Sequence, residues 1–376
     1  MIGEPRGRGE GEDHDRERAR GVRRAGGGAV SAGPSELSEV PELRGLALSR
    51  AEVDRATARR SDAEWLAKAW ADPGTRVVVV EDGRALVRSG PGTEDLVFVP
   101  PAQAPEGVRF LLGVAADETV YFGVAGPLPG AGSETGAGSG TGSGSGTGSG
   151  SGTGAGSGTG AGSAAGLPPG VRPVSLREAG PQLSDRDVGL MTHAVALANW
   201  HAVHEHCPRC GAVTVPEQAG HSRRCPVDGS EHFPRLDPAV IMLVTDPDDR
   251  CLLARNAQWP ERRVSILAGF VEPGESAEQA VAREVLEETG ISVTGARYVG
   301  SQPWPMPHSL MLGFRARATG SLQIVVDSEE IAEARWFSRD ELRASIASGE
   351  IRLPPPVSIA HRIIESWYGS DLGGAW

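Results

Sequence analysis

The stretch from Gly269 to Ile291, GFVEPGESAEQAVAREVLEETGI, constrains this chain more than any other segment. Within it Gly269, Glu275, Arg283, Glu284, Glu287, Glu288 and Gly290 fall at the spacing Gly-x5-Glu-x7-Arg-Glu-x2-Glu-Glu-x-Gly. Residues 276–289 read as a helix because Ala277, Ala280, Val281, Val285 and Leu286 recur at steps of three and four, forming one apolar stripe. Ser276 is placed to cap the start, and Gly290 to end the helix in the left-handed conformation. Glu284 then lies one turn before Glu287 and Glu288, and the three share a face away from the stripe. Like charges this close repel unless a cation lies among them. An oxygen-only donor set suits Mg²⁺ or Mn²⁺. Arg283 is positioned to brace one carboxylate, and Gly269 and Gly274 let the preceding loop turn tightly.

At 376 residues the chain has room for two or three domains. Residues 1–40 interleave Arg, Glu, Asp and Gly with few apolar side chains and are expected to be a disordered tail. Residues 127–170 are mostly Gly, Ser, Thr and Ala, a composition that buries too little to fold and is expected to act as a flexible linker or loop. Between them, residues 41–126 read as an N-terminal β-rich domain. Strands are expected at 76–80, 96–100, 108–115 and 119–125, and a helix around 62–70. It carries no chemical constellation, so its expected role is packing or dimerisation. Residues 171–203 finish that domain and supply a connecting helix from about Ser184.

A net charge of −12 argues against bulk attraction of polyanions, so an anionic substrate needs local help from metal ions and arginines. The chain lacks an apolar run of about eighteen residues and a secretion signal, so no membrane association is expected and the default location is cytoplasmic.

Three of the four cysteines cluster in residues 204–236. Cys207 and Cys210 form a Cys-x2-Cys knuckle and Cys225 follows at zinc-ribbon distance, but the position expected for a fourth cysteine holds Asp228. Three thiolates and one oxygen or nitrogen still make a tetrahedral zinc site. Asp228 is the first choice for the fourth ligand, with His232 and His221 in reserve. Cys251 opens the apolar run CLLAR and reads as a core strand residue. The remaining segment, 237–368, shows a hairpin at 239–255, further strands near 297–299, 310–316 and 334–337, and a helix at 356–367, before a short tail at 369–376.

Ten residues past the acidic helix comes SQPWPMPHS, Ser301–Ser309, whose three prolines around Trp304 suggest a stiff loop with an exposed aromatic suited to stacking on a base or nicotinamide. The acidic pattern resembles the Nudix box. With the cysteine knuckle, this loop and the PPPVSIA segment (354–360), residues 190–368 resemble the NADH pyrophosphatase group of Nudix hydrolases; the likeness is weak or absent before residue 190. The resemblance implies an α+β chain: a Nudix α/β/α sandwich with an N-terminal mostly-β domain and a zinc-ribbon insert. It also implies Mg²⁺ or Mn²⁺ bound by the Ala268 carbonyl, Glu284, Glu288 and Glu330, the last preferred to Glu329 for its spacing to Glu333, Ala334 and Trp336. Glu284, Glu287 and Glu288 are the catalytic set, with the proton acceptor left open between Glu284 and Glu287. Substrate contacts are implied at Phe233, Gln302, Pro303, Trp304, Pro305, Met306, Pro307, His308, Ser309 and Ala360.

The implied reaction is hydrolysis of the NAD(H) diphosphate to AMP and nicotinamide mononucleotide by a homodimer, with removal of NAD caps from RNA as a further activity. Other nucleotides, such as ADP-ribose or a dinucleoside polyphosphate, and a non-catalytic nucleotide sensor are the alternatives. The sequence departs from the group at Asp228 (for cysteine), Met306 (for an aromatic), Phe233 (for tyrosine) and Gly220 (for a substrate-binding glutamate in some members).

Overall fold

The computed structural model describes residues 42–130, 166–326 and 328–372. The expectations for the tail at 1–40, for most of the glycine-rich tract and for the last residues of the C-terminal tail lie outside them.

The N-terminal part contains α1 (Ala63–Ala71), β1 (Arg76–Val80), β2 (Arg84–Ser89), β3 (Glu94–Leu96), β4 (Val108–Val114), β5 (Val120–Ala125), β6 (Val171–Ser175), the single turn α2 (Leu176–Ala179) and α3 (Asp185–Val203). One sheet has the order β1-β5-β4, a second β3-β2-β6. Strand β2 was not expected from the sequence, and it pairs with β6 across the glycine-rich tract. The tract therefore lies inside this N-terminal part, between β5 of one sheet and β6 of the other, instead of joining two domains. Its flanks come together: Leu128 and Leu167 pack in one apolar cluster, and Gly130 and Gly166 are in contact. Helix α3 is buried along most of its length, and its Val188, Met191, Ala194, Val195 and Ala198 close the core of both small sheets.

Three short strands follow, β7 (Val215–Glu217), β8 (Ser222–Arg224) and β9 (Glu231–His232), as one antiparallel sheet. The last part holds β10 (Asp237–Thr245), β11 (Cys251–Asn256), β12 (Leu267–Phe270), α4 (Ala277–Thr289), β13 (Ser292–Trp304), β14 (Ser309–Thr319), β15 (Ile331–Phe337), α5 (Arg339–Ala347) and α6 (Ile359–Tyr368). Its mixed sheet runs β13-β14-β10-β11-β15 with β12 beside β10, and β10 lies parallel to β14.

Alternation in the central strands makes the sandwich. Val240, Met242 and Val244 of β10 and Leu252 of β11 face Ala280, Val281 and Val285 of α4. Ile241, Leu243, Cys251 and Leu253 face Leu342 of α5 and Ile359, Ile363, Ile364 and Trp367 of α6. Period-two burial on both faces requires a helix layer on each side. Helix α5 was not anticipated, although Ser338 and Glu341 form a capping box at its start. In α4 the box pairs Ser276 with Gln279, and Gly290 ends the helix at φ 69°. Leu286, assigned to the apolar stripe by spacing, is instead exposed.

The proline segment differs from expectation. It is not a free loop: β13 runs through Trp304, β14 starts at Ser309, and Trp304 pairs with Ser309 in register. Trp304 and Met306 are half-buried against the core of the N-terminal sheets. An indole offered to this much neighbouring apolar surface is partly covered by it and keeps the rest open.

Candidate functional site

Glycine at 269 is a steric requirement of the acidic helix. A Cβ there would come within 1.9 Å of the Glu284 carboxyl carbon, so β12 and α4 approach closely only without a side chain. Arg283 ties the box together, and it holds more than the one carboxylate expected. Its Nε and Nη2 donate to the two oxygens of Glu275 at 2.9 and 3.0 Å, its Nη2 also to the Phe270 carbonyl at 2.9 Å, and its Nη1 to Glu284 at 2.9 Å and Glu287 at 3.0 Å. Glu275 accepts the Glu272 amide as well, which fixes the loop before the helix.

The carboxylates differ in burial. Glu287 is exposed, with 61% of its side chain accessible, whereas Glu288 retains 7%. Burial pushes the Glu288 carboxyl up to about 8, and the charges of Glu284, Glu330 and Glu287 add to the shift. Glu284 is raised too, by burial first, against the opposing pull of Arg283. Glu330, just before β15, thus acts electrostatically on both helix carboxylates. Glu288 Oε2 is buried without a hydrogen-bond partner. An orphaned carboxylate oxygen among three other carboxylates is where a hard divalent cation fits. Ala268 of β12 is exposed, next in chain to the Gly269 that lies against Glu284.

The ribbon forms the second cluster. One ligand atom from each of Cys207, Cys210, Cys225 and Asp228 lies within 4.8 Å of all the others. Cys207 Sγ is 3.5 Å from Asp228 Oδ2, and Cys210 Sγ is 3.4 Å from Cys225 Sγ. A zinc tetrahedron with bonds of about 2.3 Å has edges of roughly 3.8 Å, so the four positions fit that ion. The Ser230 hydroxyl and amide donate to Asp228 and hold its carboxyl well below the ordinary carboxylate range. His232 stands behind this set, its Nε2 3.0 Å from the Ser230 hydroxyl. His221 does not belong to it: its Nε2 meets the Leu111 carbonyl of β4 at 2.7 Å.

Of the substrate-contact candidates, Gln302 and Ala360 are fully buried. The Gln302 side chain donates to the Val357 carbonyl at 2.9 Å and accepts from the Leu48 amide at 3.3 Å, which clamps the N-terminal segment onto β13. Pro303 is half-buried and Pro307 exposed, while the buried Pro305 accepts from Asn199 of α3 at 2.7 Å. His308 Nδ1 is 3.0 Å from Asp237. Phe233, one residue past β9 in the ribbon, is 66% exposed. Arg177 escaped the sequence reading. Its guanidinium lies 5.3 Å from the centre of the Trp304 ring, and only the packing of α2 beside the end of β13 brings them together.

A family model described as the NUDIX domain matches residues 235–355, and one described as the NADH pyrophosphatase zinc ribbon domain matches 203–233. A third, the NADH pyrophosphatase-like rudimentary NUDIX domain, matches 74–200. The chain belongs to the NADH pyrophosphatase group of the Nudix family. This corrects the expectation that the likeness fades before residue 190: β1 to α3 are a reduced Nudix domain, and its strands lack the box.

A protein of Mycobacterium bovis named NAD-capped RNA hydrolase NudC is 50% identical over 202 residues, 52% of this chain and 64% of that protein. The human NAD-capped RNA hydrolase NUDT12 is 42% identical over 198 residues, 50% of this chain and 43% of that protein. The chain thus spans 64% and 43% of the length of these curated relatives. Among solved structures, a NUDIX hydrolase from Nitrosomonas europaea is 25% identical, covers 36% of this chain and 79% of its own, and gives a TM-score of 0.32. In this Nudix chain the box, the ribbon and Trp304 lie on three different elements. The N-terminal core touches two of them, Trp304 through Met306 and α2, and the ribbon through His221.

Proposed function

We propose that this chain hydrolyses the diphosphate of NAD(H), releasing AMP and nicotinamide mononucleotide, and removes NAD caps from RNA 5′ ends. The observation that carries the reading is the buried, unpartnered Glu288 oxygen beside Glu284 and Glu330, at the end of a sheet that also presents Trp304. In this reading the Ala268 carbonyl, Glu284, Glu288 and Glu330 hold Mg²⁺ or Mn²⁺, which when bound neutralise the phosphates and acidify an attacking water. Arg283 keeps Glu284 and Glu287 at fixed separation. Glu287, the most exposed of the set, takes the proton of the attacking water, with Glu284 as the alternative. Trp304, backed by Arg177, provides the ring that stacks on the nicotinamide or adenine, and residues 302–309 with Ala360 shape the walls.

Zinc at Cys207, Cys210, Cys225 and Asp228 is structural in this reading. Val203, Val213, Val215, Val227, Phe233 and Leu236 are all exposed along the ribbon. Apolar side chains concentrated on one small module support a homodimer in which Phe233 meets the neighbouring protomer. The four free cysteines suit a reducing, cytoplasmic setting. Among the described residues no helix is long and apolar enough to cross a membrane.

The test is turnover of NADH, NAD⁺, ADP-ribose, diadenosine tetraphosphate and an NAD-capped oligoribonucleotide with Mg²⁺ or Mn²⁺, using Glu288→Gln as the control. Release of AMP and the mononucleotide from NADH supports the proposal. Faster cleavage of ADP-ribose overturns the substrate, and no turnover of any of them turns the reading toward a nucleotide sensor.

A further inference from the structure

Many arginines of this acidic chain hold carboxylates, as Arg172, Arg224, Arg250 and Arg283 do. A different set gathers beside the glutamates. Strand β11 ends at Asn256, and the next amide, Ala257, donates to the Glu330 carbonyl at 2.8 Å. Residues 257–263 therefore leave from the carboxylate cluster. They return through Val264 into β12, where Gly269 lies under Glu284. Within this loop the Arg263 guanidinium covers the Trp259 ring at 5.1 Å.

Arg262 sits at φ 69°, a conformation that costs a side chain about 1 kcal/mol or more and persists only where its surroundings hold it. Here the holder is the segment after α5: the Arg352 amide donates to the Arg262 carbonyl at 2.6 Å, and the Val264 amide to the Arg352 carbonyl at 3.0 Å. Arg262, Arg263 and Arg352 thus share one ridge. Among the described residues none of the three has a salt-bridge partner. Arg263 is also close enough to Arg177 for its charge to act on the Arg177 guanidinium, which covers Trp304. The ridge spans the distance from Glu330 to the aromatic end of β13.

We propose that Arg262, Arg263 and Arg352, together with Trp259, bind the ribose-phosphate chain of a single-stranded RNA whose 5′ cap occupies the glutamate site. The inference rests on the reading of that site as an NAD-cap hydrolase and extends it to the body of the transcript. A free dinucleotide carries two phosphates, both at the scissile bond beside the carboxylates, which leaves three further guanidiniums without an anion. Arg262 and Arg352 are exposed, as residues that meet a mobile polyanion must be. An indole next to an arginine offers stacking that tolerates any base. It also answers how a chain of net charge −12 receives RNA: the cations are concentrated in one ridge at the site.

The experiment compares wild type with Arg262→Gln/Arg352→Gln and with Arg263→Gln, measuring kcat/KM on NADH and on an NAD-capped oligoribonucleotide at several salt concentrations. Binding of a 5′-monophosphorylated oligoribonucleotide is measured in parallel. We expect the double variant to keep NADH turnover within about twofold and to lose roughly tenfold on capped RNA at low salt, its log–log salt slope falling by about 1.4. Equal losses on both substrates overturn the proposal, since the arginines would then serve the dinucleotide. Unchanged RNA cleavage overturns it as well. If wild type cleaves NADH but not capped RNA, the cap-hydrolase reading fails by itself; undiminished binding of the monophosphorylated RNA by the variants then rejects the ridge, and diminished binding supports it. Both residues of the double variant are exposed, so the fold is retained, and melting temperature checks it.

Discussion

The glutamate cluster of α4 and the cysteine cluster of the ribbon both gather several anionic ligands, and they are held in opposite ways. Around Cys207, Cys225 and Asp228 the chain supplies short-range donors, the Ser230 hydroxyl and amide among them, so the anions are partly satisfied before any metal arrives. Around Glu288 it supplies none: one oxygen is orphaned, and three neighbouring carboxylates push the same way. A presatisfied cluster suits an ion that stays and shapes the fold. A strained one suits ions that come with substrate, because their binding energy relieves repulsion at the place where phosphate charge must be met.

Glu288→Gln breaks this contrast most sharply. Hydrolysis should fall by about 10²–10³-fold or more as one ligand of the phosphate-facing cations is lost. The same variant should be the more stable protein without added divalent cation. Glu288 is raised to about 8 in the fold against roughly 4.3 unfolded. Between those values the folded state binds the extra proton, so wild-type stability falls as pH rises through that window, on the order of 5 kcal/mol in all. Melting curves from pH 5 to 8.5 without added Mg²⁺ should slope downward for wild type and run flatter for the variant. Mg²⁺ should restore the wild type at high pH. A wild-type curve that is flat without metal would show that the cluster carries no such strain.

Cys207→Ser tests the other side. Zinc content should drop from about one per chain toward zero, and the melting temperature should fall, because structural zinc binding is folding energy for a module this small. Asp228→Cys should do the reverse, slowing zinc loss to a chelator, since a fourth thiolate is the softer ligand. If Asp228→Cys leaves the release rate unchanged, Asp228 is not a ligand and His232 is next in position.

A third effect is smaller and concerns how the ribbon is seated. Arg223 is buried and can only donate, so His201 Nδ1, 2.9 Å away, accepts, and His201 Nε2–H donates to the Gly220 carbonyl. Burial lowers both His201 and His221 to about 4. Unfolded histidine takes up its proton near pH 6.5, the folded ones only near 4, so stability is lost as pH falls through that interval, by about 3 kcal/mol for each residue. The melting temperature should drop between pH 7 and pH 5, and His201→Gln should flatten that drop. An unchanged slope in the variant would place the acid sensitivity elsewhere.

What the sequence disclosed follows the range of the interactions. The box helix was legible because its cap, stripe and terminating glycine lie within a few residues of one another, and the β10–β11 hairpin for the same reason. Position alone makes Asp228 the first choice; that His221 drops from the reserves shows only in its contact with Leu111. Trp304 was read as exposed because three prolines suggest a loop; the surface that covers it comes from the N-terminal core, far away in the chain. Arg177 and the Arg262–Arg352 ridge left no local signature at all. Strand β2 and helix α5 left little signal, since RALVRS offers only three consecutive apolar residues with no alternation and α5 has a mostly polar composition.

The glycine-rich tract supplies the smallest expected effect, and it sharpens the comparison by showing what the fold does not need. Strands β2 and β6 pair through five residues on either side of it. Leu128 and Leu167 pack together, and Gly130 touches Gly166. The chain therefore leaves β5 of the first sheet and enters β6 of the second at adjoining points, and the register of each sheet is set by its strands and not by the tract. Replacing residues 131–165 with a Gly-Ser link should leave kcat/KM for NADH within about twofold. Because closing a shorter loop costs less entropy, stability should stay the same or rise by roughly 1–2 kcal/mol. A fall in melting temperature would mean that the tract, despite its composition, makes contacts the sheet depends on. An unchanged fold with lost cleavage of capped RNA alone would assign the tract to the polymer and not to the dinucleotide.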